Sequence, residues 1–184
     1  MIPHILELYV PLGSIVADVT WGKGAFWKNV DTSKYDLRPT DLLTGTDFRK
    51  LPYADGTIDN LVLDPPYCHS GKTLHAGLQK SYNNVSTASR DHWGIIRLYA
   101  EGILEAARVL RPKTGIILVK CQDEIESGHQ CWSHMEITQL LTMFGFSVED
   151  LFVLQQTGQP LQRQEKQFHA RKNHSYMIVG KFRR

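Results

Sequence analysis

The chain has 184 residues, 42% of them hydrophobic and 22% charged, with a formal net charge of +2. That length suits one domain with a full core, and the near-neutral balance excludes a polycationic binder as a whole molecule. No run of ~20 apolar residues exists to span a membrane. The start, Met1 to Glu7, lacks the basic and long apolar regions of a signal peptide. Cys68, Cys121 and Cys131 are irregularly spaced. They argue against a disulfide framework and for a reducing cytoplasm.

In chain order, Ile5 to Val10 predicts a brief helix ending at Pro11, and Ser14 to Val19 a buried strand. The strand runs into Thr20-Trp21-Gly22-Lys23-Gly24-Ala25-Phe26-Trp27, a glycine-bearing turn and helix start. Gly22 and Gly24 tolerate positive φ and allow a ligand close to the backbone. Trp27 stands where a dinucleotide fingerprint would have its third glycine, so that fingerprint is a poor fit. Ala25 to Val30 reads as a short helix, and Tyr35 to Arg38 as a weak strand leading to Pro39-Thr40-Asp41. Asp55-Gly56 reads as a turn, and Asp59 as a polar residue at a strand start.

Ile58 to Leu63 is an apolar run that predicts a buried strand, and Asp64-Pro65-Pro66-Tyr67 follows it directly. Neither proline has an N–H, each fixes its own φ, and Pro65 restricts Asp64. The result is a stiff turn at a strand's carboxyl end, where open α/β sheets bind ligands. It offers a carboxylate, two carbonyls and an aromatic ring, which together suit a planar base with an amino group. The alternative is an ordinary structural turn.

Cys68 to Thr87 is polar, glycine-bearing and without periodicity. A segment of that length is expected to be a lid, a binding loop or disorder. Closure over substrate would bring Lys72, Lys80 and Tyr82 near nucleic acid. Asp91 caps a predicted helix to Leu110 whose buried stripe is Trp93, Ile96, Tyr99, Ile103, Ala107 and Leu110. Gly94 and Gly102 weaken it by ~1 kcal/mol each. Ile116 to Val119 is another buried strand, and Lys120 to Asp123 leaves its carboxyl end without one residue standing out. Cys121, His129, Cys131 and His134 match no standard zinc spacing, so no metal is expected. Ser133 and Glu136 read as a capping box, Gly145 as a helix stop, and Val148 to Leu154 as a strand. Residues 157–173 form a polar, basic connection, and His174 to Phe182 is the last strand. The basic residues near the end, Arg171 and Lys172 among them, make a local patch for phosphate backbones or else a solvated tail.

Alternating strands and helices with late antiparallel candidates predict a single-domain, doubly wound α/β sheet. Asp64-Pro65-Pro66-Tyr67 resembles the motif (Asp/Asn/Ser)-Pro-Pro-(Tyr/Phe/Trp) of the amino-methyltransferases that use S-adenosylmethionine, and is most like that of the DNA adenine-N6 and cytosine-N4 enzymes. The segment Asp18 to Phe26 is similar to their cofactor loop, and Glu105 to Val119 to the helix-turn-strand of class I methyltransferases. The resemblance covers residues 12–182. It implies a Rossmann-like sheet of about seven strands, the last antiparallel. It also implies that Asp18, Thr20, Gly22, Gly24 and Phe26 cradle the methionine part of S-adenosyl-L-methionine. Asp41, or Asp36 in another register, would hold the ribose. Asp47 would accept from the adenine amino group, and Phe48 would pack beside that ring. Asp64, Pro65, Pro66 and Tyr67 would carry out direct methyl transfer to an exocyclic amino nitrogen. DNA is favoured over RNA as substrate, and adenine N6 over cytosine N4, because the cytosine enzymes more often have Ser at the Asp64 position. Arg171 to Tyr176 resembles the basic stretch before the last strand of many such DNA enzymes. One departure is the lack of a large target-recognition region. Weak specificity, a homodimer, a specificity partner or an RNA substrate would each account for it. A glutamine-amide protein methyltransferase is the weaker fit, since that group has Asn where Asp64 stands. A non-catalytic partner subunit of the same fold is the remaining alternative.

Overall fold

The computed structural model describes residues 2–66, 91–155, 168–170 and 172–184. Helix α1 (Ile2–Tyr9) precedes strands β1 (Ile15–Asp18), β2 (Asp36–Pro39) and β3 (Asn60–Leu63). Helix α2 (His92–Val109), strand β4 (Ile116–Cys121), hairpin strands β5 (Glu124–Glu126) and β6 (His129–Cys131), helix α3 (Ser133–Met143) and strands β7 (Phe146–Gln155) and β8 (His174–Phe182) follow. The main sheet has the order β2-β1-β3-β4-β8-β7. Its first four strands are parallel, and β8 runs antiparallel to both β4 and β7. This is the doubly wound α/β sheet that the alternation of elements predicts.

The central strands β1, β3 and β4 are short, largely apolar runs because both faces of the sheet are covered there. Residue by residue they feed two cores. Ala17, Leu61, Leu63, Ile117 and Val119 face one cluster with Ile95, Tyr99 and Ile103 of α2 and Ile137 and Leu141 of α3. Val16, Val62, Leu118, Met177 and Val179 face the other, with Ile5 and Leu6 of α1 and Trp27. Strand β7 changes face midway. Phe146 and Val148 pack on the first cluster, but Phe152 and Leu154, of the same parity, pack on the second. An irregularity in register between Val148 and Asp150 causes the switch. One extra residue in a strand inverts every later side chain.

Several expectations are corrected. The main sheet has six strands among the described residues, where the resemblance implies about seven. Ala25–Trp27 is a single 3-10 turn in place of the short helix. Trp93 lies outside the buried stripe of α2, at 71% exposure, and His92, Ile95, Leu98 and Gly102 lie inside it. The cap at Asp91 does form, its carboxylate accepting the Gly94 N–H at 2.8 Å. The capping box at Ser133 does not. Trp132 is the residue before the first turn of α3, and the Glu136 carboxylate is drawn 2.6 Å from His92 Nε2. A tertiary ion pair has taken the partner that a local cap would need. The hairpin β5–β6 is too short to leave an apolar pattern in the sequence.

Candidate active site

The carboxyl ends of β1, β2, β3 and β4 lie side by side, and each delivers a polar side chain to one edge of the sheet. Asp18 closes β1 and is 2% exposed. Its Oδ2 accepts from Trp27 Nε1 at 2.7 Å, and its Oδ1 from the Thr20 N–H at 3.0 Å. Burial pushes its pKa up to about 6, although the bonds from Trp27 and Thr20 favour the carboxylate. Thr20 reaches across to the next strand, its Oγ1 accepting the Asp64 N–H at 2.8 Å. A hydrogen-bonded chain thus runs from Trp27 through Asp18 and Thr20 to Asp64.

The turn after β1 needs its glycines. Gly22 and Gly24 have φ of +54° and +67°. A Cβ on Gly24 would stand 2.8 Å from the Trp21 ring. The Gly22 N–H donates to Asp41 Oδ2 at 2.9 Å, and Asp41 Oδ1 accepts from the Leu43 N–H at 2.9 Å. Asp41, just beyond β2, therefore ties the glycine turn to the neighbouring strand. Asp36 sits at the opposite end of β2, paired with Arg38 at 2.8 Å, and is away from this edge. Asp47 is gripped by Arg49 through Nε at 2.9 Å and Nη2 at 2.6 Å. The Arg49 guanidinium holds the Asp47 carboxyl below its usual range. Phe48 packs over Gly102 of α2, where a Cβ would come within 3.1 Å of the ring and 3.2 Å of Leu63.

Asp64 stands one residue beyond β3. Its Oδ2 accepts from Lys120 Nζ at 2.9 Å, and its Oδ1 is buried with no hydrogen-bond partner among the described residues. Burial raises its pKa, against the Lys120 ammonium, which favours the charged form. A buried acceptor without a donor costs about 1–3 kcal/mol, and a ligand N–H would relieve that cost.

Thr20, Gly22, Asp41, Asp47, Phe48, Asp64 and Pro66 line one cleft that opens to solvent. These seven expected residues come together. Others do not border the cleft. Asp18 supports the turn from behind, Gly24 lies in the turn but off the cleft wall, Pro65 is buried, and Phe26 packs against Trp27 at 5.3 Å between ring centroids in the second core. Tyr67, Lys72, Lys80, Tyr82 and Arg171 lie outside the described residues. Lys172 is placed with its Nζ 5.4 Å from the centre of the exposed Trp132 ring. No group of three metal-ligating side chains occurs among the described residues.

Three features escaped the sequence. Lys120 lies near the end of an apolar strand, and only the pairing of Leu63 with Val119 reveals that it flanks Asp64. Trp27 looks like a misplaced glycine and is in fact the donor to Asp18. Buried Asp123 gathers His134 Nδ1 at 2.7 Å and Tyr176 Oη at 3.3 Å, with His134 stacked on Tyr176 at 4.3 Å. In the sequence those three are separated by turns and a whole helix.

No protein-family model matches the chain, and no curated protein does. Solved structures do match. A protein of Methanosarcina mazei described as an S-adenosylmethionine-dependent methyltransferase superimposes with a TM-score of 0.60 at 12% identity, covering 97% of each chain. A candidate methyltransferase of Haloferax volcanii, solved in complex with the methyltransferase activator Trm112, gives 0.58 at 15% identity over 98% of this chain and 88% of that one. A candidate DNA modification methylase of Thermus thermophilus, crystallised with S-adenosyl-L-methionine, gives 0.51 at 13% identity over 74% of this chain and 53% of that one. At such identities the likeness is one of fold. The chain has the Rossmann-like α/β fold that these methyltransferases share.

Proposed function

We propose that this protein transfers a methyl group from S-adenosyl-L-methionine to an exocyclic amino nitrogen of a DNA base, with adenine N6 favoured over cytosine N4. The observation that carries this reading is the buried Oδ1 of Asp64, without a hydrogen-bond partner among the described residues, in the wall of a cleft beside a glycine turn. The residues present fit the cofactor. The positive-φ glycines keep the backbone open beside the cleft, and Asp41, Asp47 and Phe48 line it. In this reading Thr20, Gly22 and the turn that Asp18 supports hold the methionine part, Asp41 the ribose, and Asp47 with Phe48 the adenine. When bound, S-adenosylmethionine supplies an electrophilic methyl on a sulfonium.

The chain's own residues do the rest. An exocyclic amino nitrogen is a poor nucleophile because its lone pair is delocalised into the ring. Asp64 Oδ1 and the Pro65 carbonyl accept its two N–H bonds and draw it toward tetrahedral geometry. Pro66 stiffens the turn, and Tyr67 stacks on the base. Catalysis is positioning and electrostatics, without a covalent enzyme intermediate. A duplex substrate needs its base extruded, at a few kcal/mol. Lys72, Lys80, Tyr82, Arg171 and Lys172 would meet the nucleic acid. The cytoplasm would be the site of action.

A partner or second copy supplying specificity has an observation in its favour. The chain spans about half the length of the Thermus methylase that it resembles, and the Haloferax methyltransferase was solved with an activator. An RNA base remains the alternative substrate. The test is Asp64→Ala. Methyl transfer should fall on the order of 10²–10³-fold or more, as when a site loses one transition-state hydrogen-bond partner. Cofactor affinity by titration calorimetry should be retained. Undiminished turnover would remove Asp64 from the mechanism.

A further inference from the structure

We infer that Lys120 is a positioning residue of this site, engaging Oδ2 of Asp64 so that Oδ1 is left as the acceptor for the substrate's amino hydrogen. The inference rests on the reading above. It starts from the sheet. Leu63 pairs with Val119, so Asp64 and Lys120 are the next residues out on two adjacent parallel strands. Lys120 is still within β4, and its backbone is fixed from both sides. It pairs with Met177 of β8, and its carbonyl accepts from the hydroxyl of fully buried Tyr99 at 2.7 Å. The ammonium lies 2.9 Å from Asp64 Oδ2, and both side chains are about three-quarters buried.

Two consequences follow from that geometry. A carboxylate rotates about its last bond, and with neither oxygen held, either could face the substrate. Lys120 holds one and fixes the plane of the other. The second consequence concerns charge. In this half-dry setting a lone carboxyl tends to protonate, and a protonated Asp64 would present a donor to an incoming N–H. The neighbouring ammonium keeps the acceptor form. The Thr20 bond to the Asp64 N–H fixes the backbone but does nothing for the charge. Among the described residues, the other titratable groups facing Asp64 are Asp18 at the end of β1, Cys121 beside Lys120, and Asp41 and Asp47 along the cleft. Each acid among them, when ionised, opposes the charge on Asp64. Among the described residues, Lys120 is the cation paired with it.

The test compares wild type, Lys120→Met and Lys120→Arg. Methionine keeps the stem and removes the charge, and arginine restores it. Asp64 is followed directly by carbon-13 NMR of aspartate-labelled protein, with Asp64→Asn for assignment. Its titration should move up by about 1–3 units in Lys120→Met, the effect of removing an adjacent opposite charge. It should stay close to wild type in Lys120→Arg. Where methyl transfer is measured, the acid limb of kcat should move with it in Lys120→Met and return in Lys120→Arg, while KM for the cofactor is unchanged. An Asp64 titration that is the same in wild type and Lys120→Met overturns the inference. So does an equal loss of kcat at every pH in both variants. If the wild type transfers no methyl group to any nucleic acid, the functional reading fails, and the NMR titration still decides whether Lys120 sets the state of Asp64.

Discussion

Trp27→Phe probes the support of the glycine turn. Trp27 is 4% exposed, and its Nε1 donates to Asp18 Oδ2 at 2.7 Å. Phenylalanine keeps an aromatic ring and deletes the donor. The loss has two parts. One is packing, from replacing a buried indole by a smaller ring, and it does not depend on pH. The other is a charge-assisted hydrogen bond, worth about 1.5–3 kcal/mol when Asp18 is ionised. Asp18 already has its pKa raised from 3.8 to about 6 by burial. The folded state therefore binds a proton that the unfolded state has lost. That stabilisation is present in full below pH 3.8 and is lost as pH rises to about 6, an effect of about 3 kcal/mol. Removing the Trp27 donor disfavours the carboxylate further and extends the same loss above pH 6. Urea unfolding followed by far-UV circular dichroism, at pH 5 and pH 8, measures it. The variant should be destabilised at both, and more at pH 8 by about 1–2 kcal/mol. Other titrating groups are common to both proteins and cancel in the difference. An equal destabilisation at the two pH values would refute the argument.

Other outcomes follow from the same contacts. Gly102→Ala improves helix propensity by about 1 kcal/mol but places a Cβ 3.1 Å from Phe48. Melting temperature should change little, whereas cofactor affinity by calorimetry should fall as the ring shifts in the cleft wall. Thr20→Val removes the acceptor of the Asp64 N–H. It should cost about 1–3 kcal/mol in urea unfolding, and it should lower methyl transfer more than cofactor binding. His92 lies between Glu124 and Glu136 at 3.0 and 2.6 Å. Burial lowers its pKa, but the two glutamates outweigh that and the net shift is upward. Its stabilisation is therefore full below the ordinary histidine range and lost as pH rises through the elevated value. His92→Gln should be more destabilising at pH 6 than at pH 9 in the same unfolding assay.

The parts of the fold legible in the sequence are those where local pattern and burial coincide. Four short apolar runs became β1, β3, β4 and β8, and the double proline after Leu63 marks the strand end that faces the cleft. Seven expected residues line that cleft because the turns after parallel strands necessarily share one edge. What the sequence hides is pairing at a distance. Trp93 has the period of a buried residue, but His92, drawn inward by two glutamates, takes the buried position next to it. Ser133 and Glu136 have the spacing of a cap, but Glu136 is worth more to His92. Lys120 looks like a surface lysine until the register of β3 and β4 sets it against Asp64. The bulge near Asp150 leaves no mark in the sequence, because Leu151 to Leu154 is apolar at every position and shows no alternation from which its buried face could be read.

The central claim is tested most directly by incubating the protein with methyl-labelled S-adenosylmethionine and duplex DNA, single-stranded DNA or total RNA. Each is then digested to nucleosides and the labelled species identified by mass. The account predicts label in N6-methyladenine from DNA, absent with Asp64→Ala. Label confined to RNA would transfer the same chemistry to the other nucleic acid. Label on a ring carbon or a phosphate, or N6-methyladenine formed equally well by Asp64→Ala, would contradict it.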